Sequence, residues 1–519
     1  MPVQGGANSL RELWQQPAQV VRKHLEDPSL RSCLLENVKS GIAISTSWSG
    51  MKVPELAMEV LLHVVQAAVG LPTGPGVRCV SSCDSDTSCR EIAKHWKGTL
   101  VKHDSHTHVF GNVLDYLSDY AKQFLEGEGL ANLFQGPTGV KRKREKSENT
   151  LERNARIARH FIRHSKAVVK PTQRARCFAH DDRTCYNNVY HELSARSEEL
   201  ITMDIAGSSC VERSPLGSQV GDAGDTIVVL LVWAARVRET RPVLFMHENH
   251  KNLGLEVFNF WFRDLYQIYA ISSCSPSWHG WPVNRPGRQY VWGIRRDWSL
   301  LGSAEDFAEK FSFSVELVGA DLFEADDTML DKEFHRVIAR RRYAHSSPRE
   351  CFPDWSVLYP PGMQTRLAEH EECVSKKFPD ADRWCVDVEQ NVGCGPAGGP
   401  FIPCLVTHGR LVVNDPLTCG RRHATPEEHL NFQGVPVLQH QLDALHLPEL
   451  PWAGVLRDMK AEQIIQLAGN GMFMPTVLYQ MLYVLSRLRQ RTNCPLGRPN
   501  SLIGIDEGFE WDTDDDDIE

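Results

Sequence analysis

The chain has 519 residues, of which 42% are hydrophobic and 24% charged, and its formal net charge at pH 7 is −9. This length can bury a large core and predicts two or three domains, and the composition is that of an ordinary soluble protein. The longest apolar run, 226–235, is too short to cross a bilayer, which argues against a membrane protein.

Apolar runs alternate with amphipathic stretches along the first part of the chain. The predicted strands are 41–46, 77–84, 107–111, 200–207, 243–248, 267–272 and 289–294. The predicted helices between them are 54–69, 88–96, 113–125, 225–239 and 255–265. Strands that alternate with helices predict an α/β fold with a mostly parallel, doubly wound sheet. Ligands bind such sheets beyond the carboxyl ends of the strands.

The same pattern divides the chain into segments. Residues 1–38 form an N-terminal extension, and 39–297 form the main domain, which a basic insertion at about 126–197 interrupts between the third and fourth strands. Over 298–420 the alternation fades and proline, glycine and cysteine increase, which predicts a second, irregular domain. Predicted helices at 462–468 and 475–488 return to the main domain within 421–490, and the acidic segment 491–519 is predicted to be disordered.

Positive charge is concentrated in a few places although the total charge is negative. Basic residues occupy 141–144 and 340–342, and Arg153, Arg156, Arg159 and Arg163 recur at helical spacing. Phosphate binding needs only a local positive surface. A solvated helix face explains these clusters equally well, so both interpretations stay open.

The cysteine pattern favours a reduced, intracellular protein. The 15 cysteines are an odd number, and none is arranged as C-x-x-C. A zinc site at Cys177, His180, Cys185 and His191 is conceivable, but this spacing matches no common zinc pattern. The prediction is therefore that the chain binds no metal.

Cys210 and Glu248 follow two consecutive predicted strands of the sheet. Cys210 lies in a loop of small residues after strand 200–207, and Glu248 ends strand 243–248. A thiol and a carboxylate at neighbouring strand ends suit covalent catalysis, in which the thiol attacks an electron-poor carbon and the acid protonates the same ring. A lone cysteine is more often a buried structural residue. The paired positions favour the catalytic interpretation.

These two segments resemble motifs of the C5-cytosine DNA methyltransferases. The sequence G-S-S-C at 207–210 is similar to the G-x-P-C loop of that family, and E-N-H at 248–250 is similar to its E-N-V. The resemblance implies that Cys210 adds to C6 of cytosine and that Glu248 contacts N3 and the exocyclic amine. Ser209 stands where the family has proline, and His250 stands where it has valine.

A third segment, N-R-P-G-R at 284–288, resembles the Q-x-R-x-R of the same family. Arg288 aligns with the second arginine, whereas Pro286 falls on the first. We expect Arg285 to substitute from one position earlier, because a guanidinium near the base can bind its O2 and the flanking phosphate. The resemblance thus implies four catalytic residues: Cys210, Glu248, Arg285 and Arg288.

Two further segments extend the resemblance toward the C-terminus. The sequence R-H-A-T-P-E-E at 422–428, followed by Q-G-V-P at 433–436, is similar to the family's R-x-L-T-x-x-E and Q-G-x-P. This is the most specific match, and in the family it organises the target-recognition domain. Q-L-A-G-N at 466–470 is similar to the last motif, Q-x-G-N, which helps to enclose S-adenosylmethionine.

The segments that would bind the cofactor match the family's motifs in position more than in residue identity. Gly50 is the glycine left in the first loop, where the family has a glycine-rich turn. Asp84 follows the second strand, where an acid would bind ribose hydroxyls. Asn112 follows the third strand, where the family prefers an aspartate toward the adenine amine. The residues that the resemblance implies for S-adenosylmethionine binding are Ser49, Gly50, Asp84, Asn112, Gly469 and Asn470.

The resemblance implies a Rossmann-like, seven-stranded methyltransferase sheet with a smaller target-recognition domain at 298–420. It implies methylation of cytosine C5 in DNA through a covalent intermediate, after the base has left the stack. Two alternatives stay open, namely a degenerate homologue that binds nucleic acid without turnover and an RNA (tRNA) C5-cytosine methyltransferase. A hydrolase or another cysteine enzyme would leave the Q-G-V-P segment unexplained.

The expected partner is DNA, with RNA as the alternative, and no membrane partner is expected. The basic patch at 141–144 favours the nucleus if the source is eukaryotic, and a bacterial enzyme of this kind would be cytoplasmic.

Overall fold

A computed structural model describes residues 4–48, 50–71, 76–103, 105–134, 148–170, 173–187, 200–209, 212–213, 219–272, 274–339, 349, 352, 354–392, 398–416 and 420–491. Several predictions fall outside these ranges, namely Ser49, His191, Cys210, the basic patches at 141–144 and 340–342, and nearly all of the acidic segment 491–519. Within the described ranges, no helix combines the length and the apolar character that a membrane span requires.

The strands in chain order are β1 Ile42–Ser47, β2 Val77–Cys83, β3 Val101–Lys102, β4 His108–Phe110, β5 Arg174–Arg176, β6 Thr184–Tyr186, β7 Ile201–Ala206, β8 Leu244–His250, β9 Tyr266–Ser272, β10 Arg288–Arg295, β11 Trp298–Leu300, β12 Trp384–Asp387, β13 Gly398–Gly399, β14 Leu411–Asp415, β15 Gly420–His423 and β16 Leu488–Gln490. The α-helices are α1 Leu10–His24, α2 Pro28–Ser40, α3 Val53–Val69, α4 Thr87–Lys94, α5 Asp119–Gly127, α6 Glu148–Arg163, α7 Ser165–Val168, α8 Thr226–Thr240, α9 Leu255–Phe262, α10 Ala304–Phe311, α11 Asp327–Ala339, α12 Pro361–Lys377, α13 Pro426–Asn431, α14 Gln439–Ala444, α15 Ala453–Asp458, α16 Ala461–Asn470 and α17 Met474–Leu485.

The main sheet has the strand order β3-β2-β1-β7-β8-β10-β9, and β4 pairs with β2 beyond β3. β1 is parallel to both β2 and β7, and β7 is parallel to β8, whereas β10 runs antiparallel between β8 and β9. This confirms the predicted α/β class with a mostly parallel sheet. The strand order reverses at β1, which lies between β2 and β7, and doubly wound sheets bind ligands at such a point.

All seven predicted strands are present, and each differs from its prediction by at most two residues at either end. The sheet nevertheless has eight strands, because the two-residue strand β3, which was not predicted, also pairs with β2 beside β4. The helix predicted over 113–125 is also divided. A 3-10 turn covers Val113–Tyr116, and Ser118 then caps the separate helix α5 by accepting a hydrogen bond from Ala121 N.

Each face of the sheet has its own apolar core, because successive side chains of a strand point to opposite faces. Met246 belongs to the core that α3 and α17 cover. Phe245, one residue earlier, belongs to the core that α8 and α9 cover. This alternation fixes the register of the central strands and hence the position of the strand ends.

The N-terminal extension is packed into the first of these cores. Trp14 of α1 meets Trp281 edge to face at 5.0 Å, and Asn37 of α2 donates to the carbonyl of Leu485 at 2.7 Å. Residues 1–38 were predicted only as an N-terminal extension. In the structure, α1 and α2 belong to the core on one face of the sheet.

The insertion contributes α6, which packs along α8, and a short hairpin made of β5 and β6. Arg153 pairs with Asp225 at 3.3 Å and Arg156 pairs with Glu128, its Nε lying 3.0 Å from Oε1. These two members of the predicted basic cluster are therefore engaged in ion pairs within the chain.

The second domain is more regular than its composition predicts. Four short antiparallel strands form a sheet in the order β13-β12-β14-β15, and α11 and α12 pack with it around a core that includes Trp355 and Val386. Strands of two to five residues are too short to produce a recognisable alternation, which explains why the sequence predicts an irregular region.

Candidate active site

Glu248 lies near the end of β8 with two arginines against its carboxylate. Oε1 is 3.4 Å from Nη2 of Arg285 and 3.6 Å from Nε of Arg288. The side chain of Glu248 is 7% exposed, so these charges interact where water screens them little. The structure thus brings three of the four predicted catalytic residues together.

The segment 284–288 brings one of its arginines, Arg285, next to Glu248. Pro286, which aligns with that arginine, is exposed, while Arg285 is 8% exposed and points to Glu248. Gly287 makes this turn possible, since its φ is +71° and a methyl carbon there would lie 2.8 Å from Nε2 of His250. Arg285, one position before Pro286, is thus the residue whose guanidinium reaches Glu248.

The loop after β7 is attached to the end of β8. The hydroxyl of Ser208 lies 2.9 Å from Nε2 of His247 and accepts from Nδ2 of Asn249 at 2.8 Å. A methyl carbon placed on Gly207 would lie 2.7 Å from Cε of Met472 and 3.6 Å from Oε2 of Glu248. The backbone of Gly207 therefore passes within van der Waals range of the carboxylate, and a larger side chain there would first displace the end of Met472.

His247 positions this loop as a neutral ring. Its pKa is lowered to about 3, first because the ring is fully buried and second because Arg213 repels a positive charge. It therefore serves as a hydrogen-bond partner of Ser208 at neutral pH. Sequence reasoning missed this residue, since it is distinguished only by its place one position before Glu248.

Cys210 lies outside the described residues, and its described neighbours on both sides are anchored. On one side, Ser208 is bound to β8 as described above. On the other, Glu212 accepts from the backbone N–H of Thr226 at 2.9 Å and so caps α8, while Arg213 accepts through its carbonyl from Asn252 at 3.0 Å.

Arg285 also reaches the last motif. Its Nη1 donates to the carbonyl of Gly471 at 2.6 Å and lies 3.3 Å from Oε1 of Gln433, whose own amide donates to the carbonyl of Ala468 at 2.7 Å. Gln433 of the Q-G-V-P segment thus connects the buried arginine with the end of α16. The role is positional, as the resemblance implies.

The loop after β1 has an unusual backbone. Trp48, Gly50 and Lys52 have φ values of +52°, +58° and +65°, in the left-handed region that non-glycine residues rarely adopt. Such conformations concentrate at functional sites, where the surrounding structure holds them in place. Of these three left-handed residues, one is a glycine, so the loop holds Trp48 and Lys52 in a conformation that their side chains disfavour.

Gly50, Asp84 and Asn470 meet at this edge of the sheet. The N–H groups of Gly50 and Asp86 donate to the Asp84 carboxylate, the latter at 2.9 Å, and a methyl carbon on Gly50 would lie 3.2 Å from the carbonyl oxygen of Asn470. Burial raises the pKa of Asp84 to about 6. A carboxylate held over a glycine turn is the arrangement that nucleoside-binding sheets use for ribose hydroxyls, so these residues fit such a cofactor.

The other two described cofactor candidates have packing roles. Asn112 caps the 3-10 turn 113–116 by accepting a hydrogen bond from Leu114 N at 3.0 Å. It lies two residues after Phe110, whose carbonyl accepts from Asp84 N at the end of β2. Gly469 lies against the second domain, where a methyl carbon would be 2.4 Å from the carbonyl carbon of Val406.

A buried ion pair that the sequence reasoning missed lies beneath the first loop. Lys52 is 1% exposed and pairs with Glu55, and its ammonium donates to Thr46 at 3.0 Å and to Ser82. The pair joins β1, β2 and the start of α3, and so holds the first loop to the sheet. The i,i+3 spacing of Lys52 and Glu55 could have indicated this pair, but exposed ion pairs on surface helices have the same spacing.

The R-H-A-T-P-E-E segment forms a closed network away from Glu248. Arg422 makes two 2.8 Å hydrogen bonds to Glu428, which also accepts from the N–H of Thr425 at 2.8 Å and of Ala325 at 2.9 Å. Thr425 in return caps α13. The structural role implied for this motif agrees with these contacts.

Together, the sheet order and the strand-end site define an α/β chain with a mostly parallel, Rossmann-like sheet and a candidate site at its strand ends. Solved structures similar to it include the S. pombe Dnmt2 methyltransferase, at 12% identity over 86% of this chain and 98% of that chain, with a TM-score of 0.38. The Entamoeba histolytica methyltransferase EhMeth is similar at 12% identity over 86% and 98%, with a TM-score of 0.37.

A mutant of Spodoptera frugiperda DNMT2 is similar at 13% identity over 85% of this chain and 99% of that chain, with a TM-score of 0.36. No protein-family model matches the chain, and no curated protein matches it. The likeness concerns the fold alone, and the placement of individual residues rests on the contacts described above.

Proposed function

We propose that the chain transfers a methyl group from S-adenosylmethionine to C5 of cytosine in DNA, with Cys210 as the nucleophile. The observation that carries the proposal is the convergence of Glu248, Arg285 and Arg288 beside Gly207, three residues before Cys210 in the chain. An acid held between two guanidinium groups, next to a loop that leads to a thiol, matches the needs of nucleophilic addition to a pyrimidine.

In this proposal each side chain has one task. The thiolate of Cys210 forms a bond to C6, and Glu248 gives a proton to N3, so that electron density moves to C5. Arg288 and Arg285 orient the carboxylate and contact the base, since a guanidinium presents several N–H donors in one plane. Once C5 had taken up the cofactor's methyl group, loss of the C5 proton to solvent water would let the C6–S bond break and restore the thiolate, and N3 would return its proton to Glu248.

Gly50, Asp84 and Asn470 would hold the cofactor, which supplies an electrophilic methyl group. Asp84 would bind the ribose hydroxyls, and Gly50 would let the backbone approach the cofactor. The bond from Arg285 to Gly471 connects this subsite with the acid, which supports the assignment of both to one reaction centre.

The test is methyl transfer from radiolabelled S-adenosylmethionine to duplex DNA and, in parallel, to transfer RNA. We expect labelled 5-methylcytosine in DNA, and a loss on the order of 10³-fold or more in Cys210→Ser. The matched control is Cys404→Ser, a half-buried cysteine of the second domain. An oligonucleotide with 5-fluorocytosine should form a covalent complex with the unmodified chain and none with Cys210→Ser.

The outcomes separate the alternatives. Labelling of transfer RNA without DNA would replace the DNA assignment by the RNA one. Binding of cofactor and nucleic acid without transfer would identify the degenerate homologue, for which the serine at position 209 is the motivating departure. Transfer that persists in Cys210→Ser would overturn the mechanism.

A further inference from the structure

Four possible metal ligands converge where the insertion meets the main sheet. His108 comes from β4, and Cys177, His180 and Cys185 come from the β5–β6 hairpin. Their ligand atoms all lie within 4.8 Å of one another. Sγ of Cys177 is 3.7 Å from Nδ1 of His108 and 3.3 Å from Nδ1 of His180, and Sγ of Cys185 is 3.3 Å from the same His180 nitrogen.

These separations are those of a tetrahedral site. Zinc binds cysteine sulfur at ~2.3 Å and histidine nitrogen at ~2.0 Å, so tetrahedral angles place neighbouring sulfur and nitrogen atoms ~3.6 Å apart. The three measured distances of 3.3, 3.3 and 3.7 Å lie around this value. An ion at the centre would therefore need only small movements of the side chains.

The hydrogen bonding of His180 favours the tautomer in which Nδ1 can bind a metal ion. Its Nε2 lies 2.9 Å from the carbonyl oxygen of Ser105, and a carbonyl can only accept a hydrogen bond. The proton of the neutral ring is therefore on Nε2, and Nδ1 has its lone pair toward the two cysteines. A backbone carbonyl that orients a ligating histidine in this way is a regular feature of zinc sites.

Hydrogen bonding alone does not account for the cluster. Nδ1 of His180 has one lone pair, whereas two thiols lie at 3.3 Å from it. One thiol at most can donate to that nitrogen. A single cation satisfies both sulfurs and both nitrogens at once.

We propose that His108, Cys177, His180 and Cys185 bind one Zn²⁺ in a closed, four-coordinate structural site. Binding forms two Zn–S and two Zn–N bonds and releases the two thiol protons to solvent. Sequence reasoning weighed three of these residues together with His191 and predicted no metal. His191 lies outside the described residues, and His108 precedes Cys177 by 69 positions, so spacing could not reveal it.

The site would fasten the insertion beside the proposed cofactor subsite. Phe110 of β4 pairs with Cys177 in an antiparallel bridge, and the ring of Phe178 packs 3.1 Å from where a methyl carbon on Gly111 would be. Asn112, the candidate for the adenine end, follows directly. The metal would therefore fix the loop after β4 whether or not the chain is a methyltransferase.

The test starts with the full-length chain purified with zinc in the growth medium and dialysed without chelator. Elemental analysis should find about one zinc per chain, and removal of zinc should lower the melting temperature. Replacement by Co²⁺ should produce the strong visible bands of a tetrahedral ion together with sulfur-to-cobalt charge transfer in the near ultraviolet. These measurements need no variant and no enzymatic activity.

Cys185→Ser and His108→Asn should lose the bound zinc, whereas Cys373→Ser, a half-buried cysteine of α12, should keep it. Zinc retained in both site variants, no Co²⁺ spectrum from the unmodified chain, or a Cys177–Cys185 disulfide found by mass spectrometry would each overturn the proposal. If a site variant fails to fold, the Co²⁺ spectrum of the unmodified chain decides. Loss of methyl transfer with zinc retained would count against the proposed function alone.

Discussion

Nη2 of Arg285 lies 3.4 Å from Oε1 of Glu248, so the acid at the end of β8 and the loop before β10 share a buried ion pair. The same guanidinium donates to the carbonyl of Gly471 at 2.6 Å. One side chain thus connects the acid with the segment that packs on the first loop. If the proposed function holds, this arginine couples the substrate and cofactor subsites.

Replacing Glu248 by glutamine should impair both catalysis and stability. The amide cannot protonate N3, and loss of a positioned general acid costs ~10²–10⁴-fold in rate. It also removes the negative charge next to the buried Arg285, which should lower the unfolding free energy by about 3 kcal/mol. Single-turnover methyl transfer and denaturant titration measure the two effects.

The control for this prediction is Glu449→Gln, an exposed carboxylate that should change neither quantity. An active Glu248→Gln variant with unchanged stability would show that the carboxylate neither reacts nor neutralises the arginines.

Arg285→Lys and Arg288→Lys should differ in their effect on cofactor affinity. Lysine cannot span Glu248 and the carbonyl of Gly471 together, so Arg285→Lys should weaken cofactor binding about tenfold, since a hydrogen bond from a charged group contributes ~1.5–3 kcal/mol. Arg288→Lys should reduce the rate more than the cofactor affinity. Isothermal titration with S-adenosylmethionine compares the pair, and equal affinities in the two variants would refute the coupling.

Much of this architecture follows from sequence periodicity. Buried strands such as β1 and β7 are rich in apolar residues, and α3 and α8 are strongly apolar, so a local window contains the signal that places them. The strand-end position of Glu248 follows directly from the end of such a run. The general location of the site was therefore predictable.

The remaining features depend on contacts between remote parts of the chain. Only pairing with β2 defines the two-residue strand β3. Gly469 and Asn470 are adjacent, yet one meets Val406 and the other Gly50, because successive residues of a helix point in directions about 100° apart. The contact between His108 and the β5–β6 hairpin likewise depends on the tertiary fold, and no local sequence pattern predicts it.

The Arg422–Glu428 pair should matter for stability and not for the chemical step. Both side chains are nearly fully buried, at 4% and 1% exposed, so Arg422→Met leaves a charged carboxylate without its partner and should cost ~3–5 kcal/mol. Glu428→Gln should destabilise the chain in a comparable way. Denaturant titration should show the double variant to be less destabilised than the sum, because both single substitutions remove the same interaction.

In the same variants, the single-turnover rate of the folded fraction should stay within a few-fold of the unmodified chain. If the Arg422 and Glu428 variants instead lose as much of the rate as Glu248→Gln does, this network takes part in the reaction.

Asp84 predicts a pH dependence with a defined sign. Burial raises its pKa to about 6 from an ordinary value of 3.8, so between these values the folded chain binds more protons than the unfolded chain. Stability therefore falls as pH rises through this window and is constant above it. Asp84→Asn should remove that slope and raise the unfolding free energy at pH 7 by at most about 3 kcal/mol.

Cofactor affinity should change in the opposite direction, since ribose hydroxyls donate to the ionised carboxylate. Titration of S-adenosylmethionine should show affinity that is constant above pH 6 and falls as the pH drops below it, as Asp84 becomes protonated. Asp84→Asn should bind the cofactor weakly and with no such pH dependence. An affinity that is insensitive to pH in the unmodified chain would remove Asp84 from the cofactor subsite while leaving the stability prediction in place.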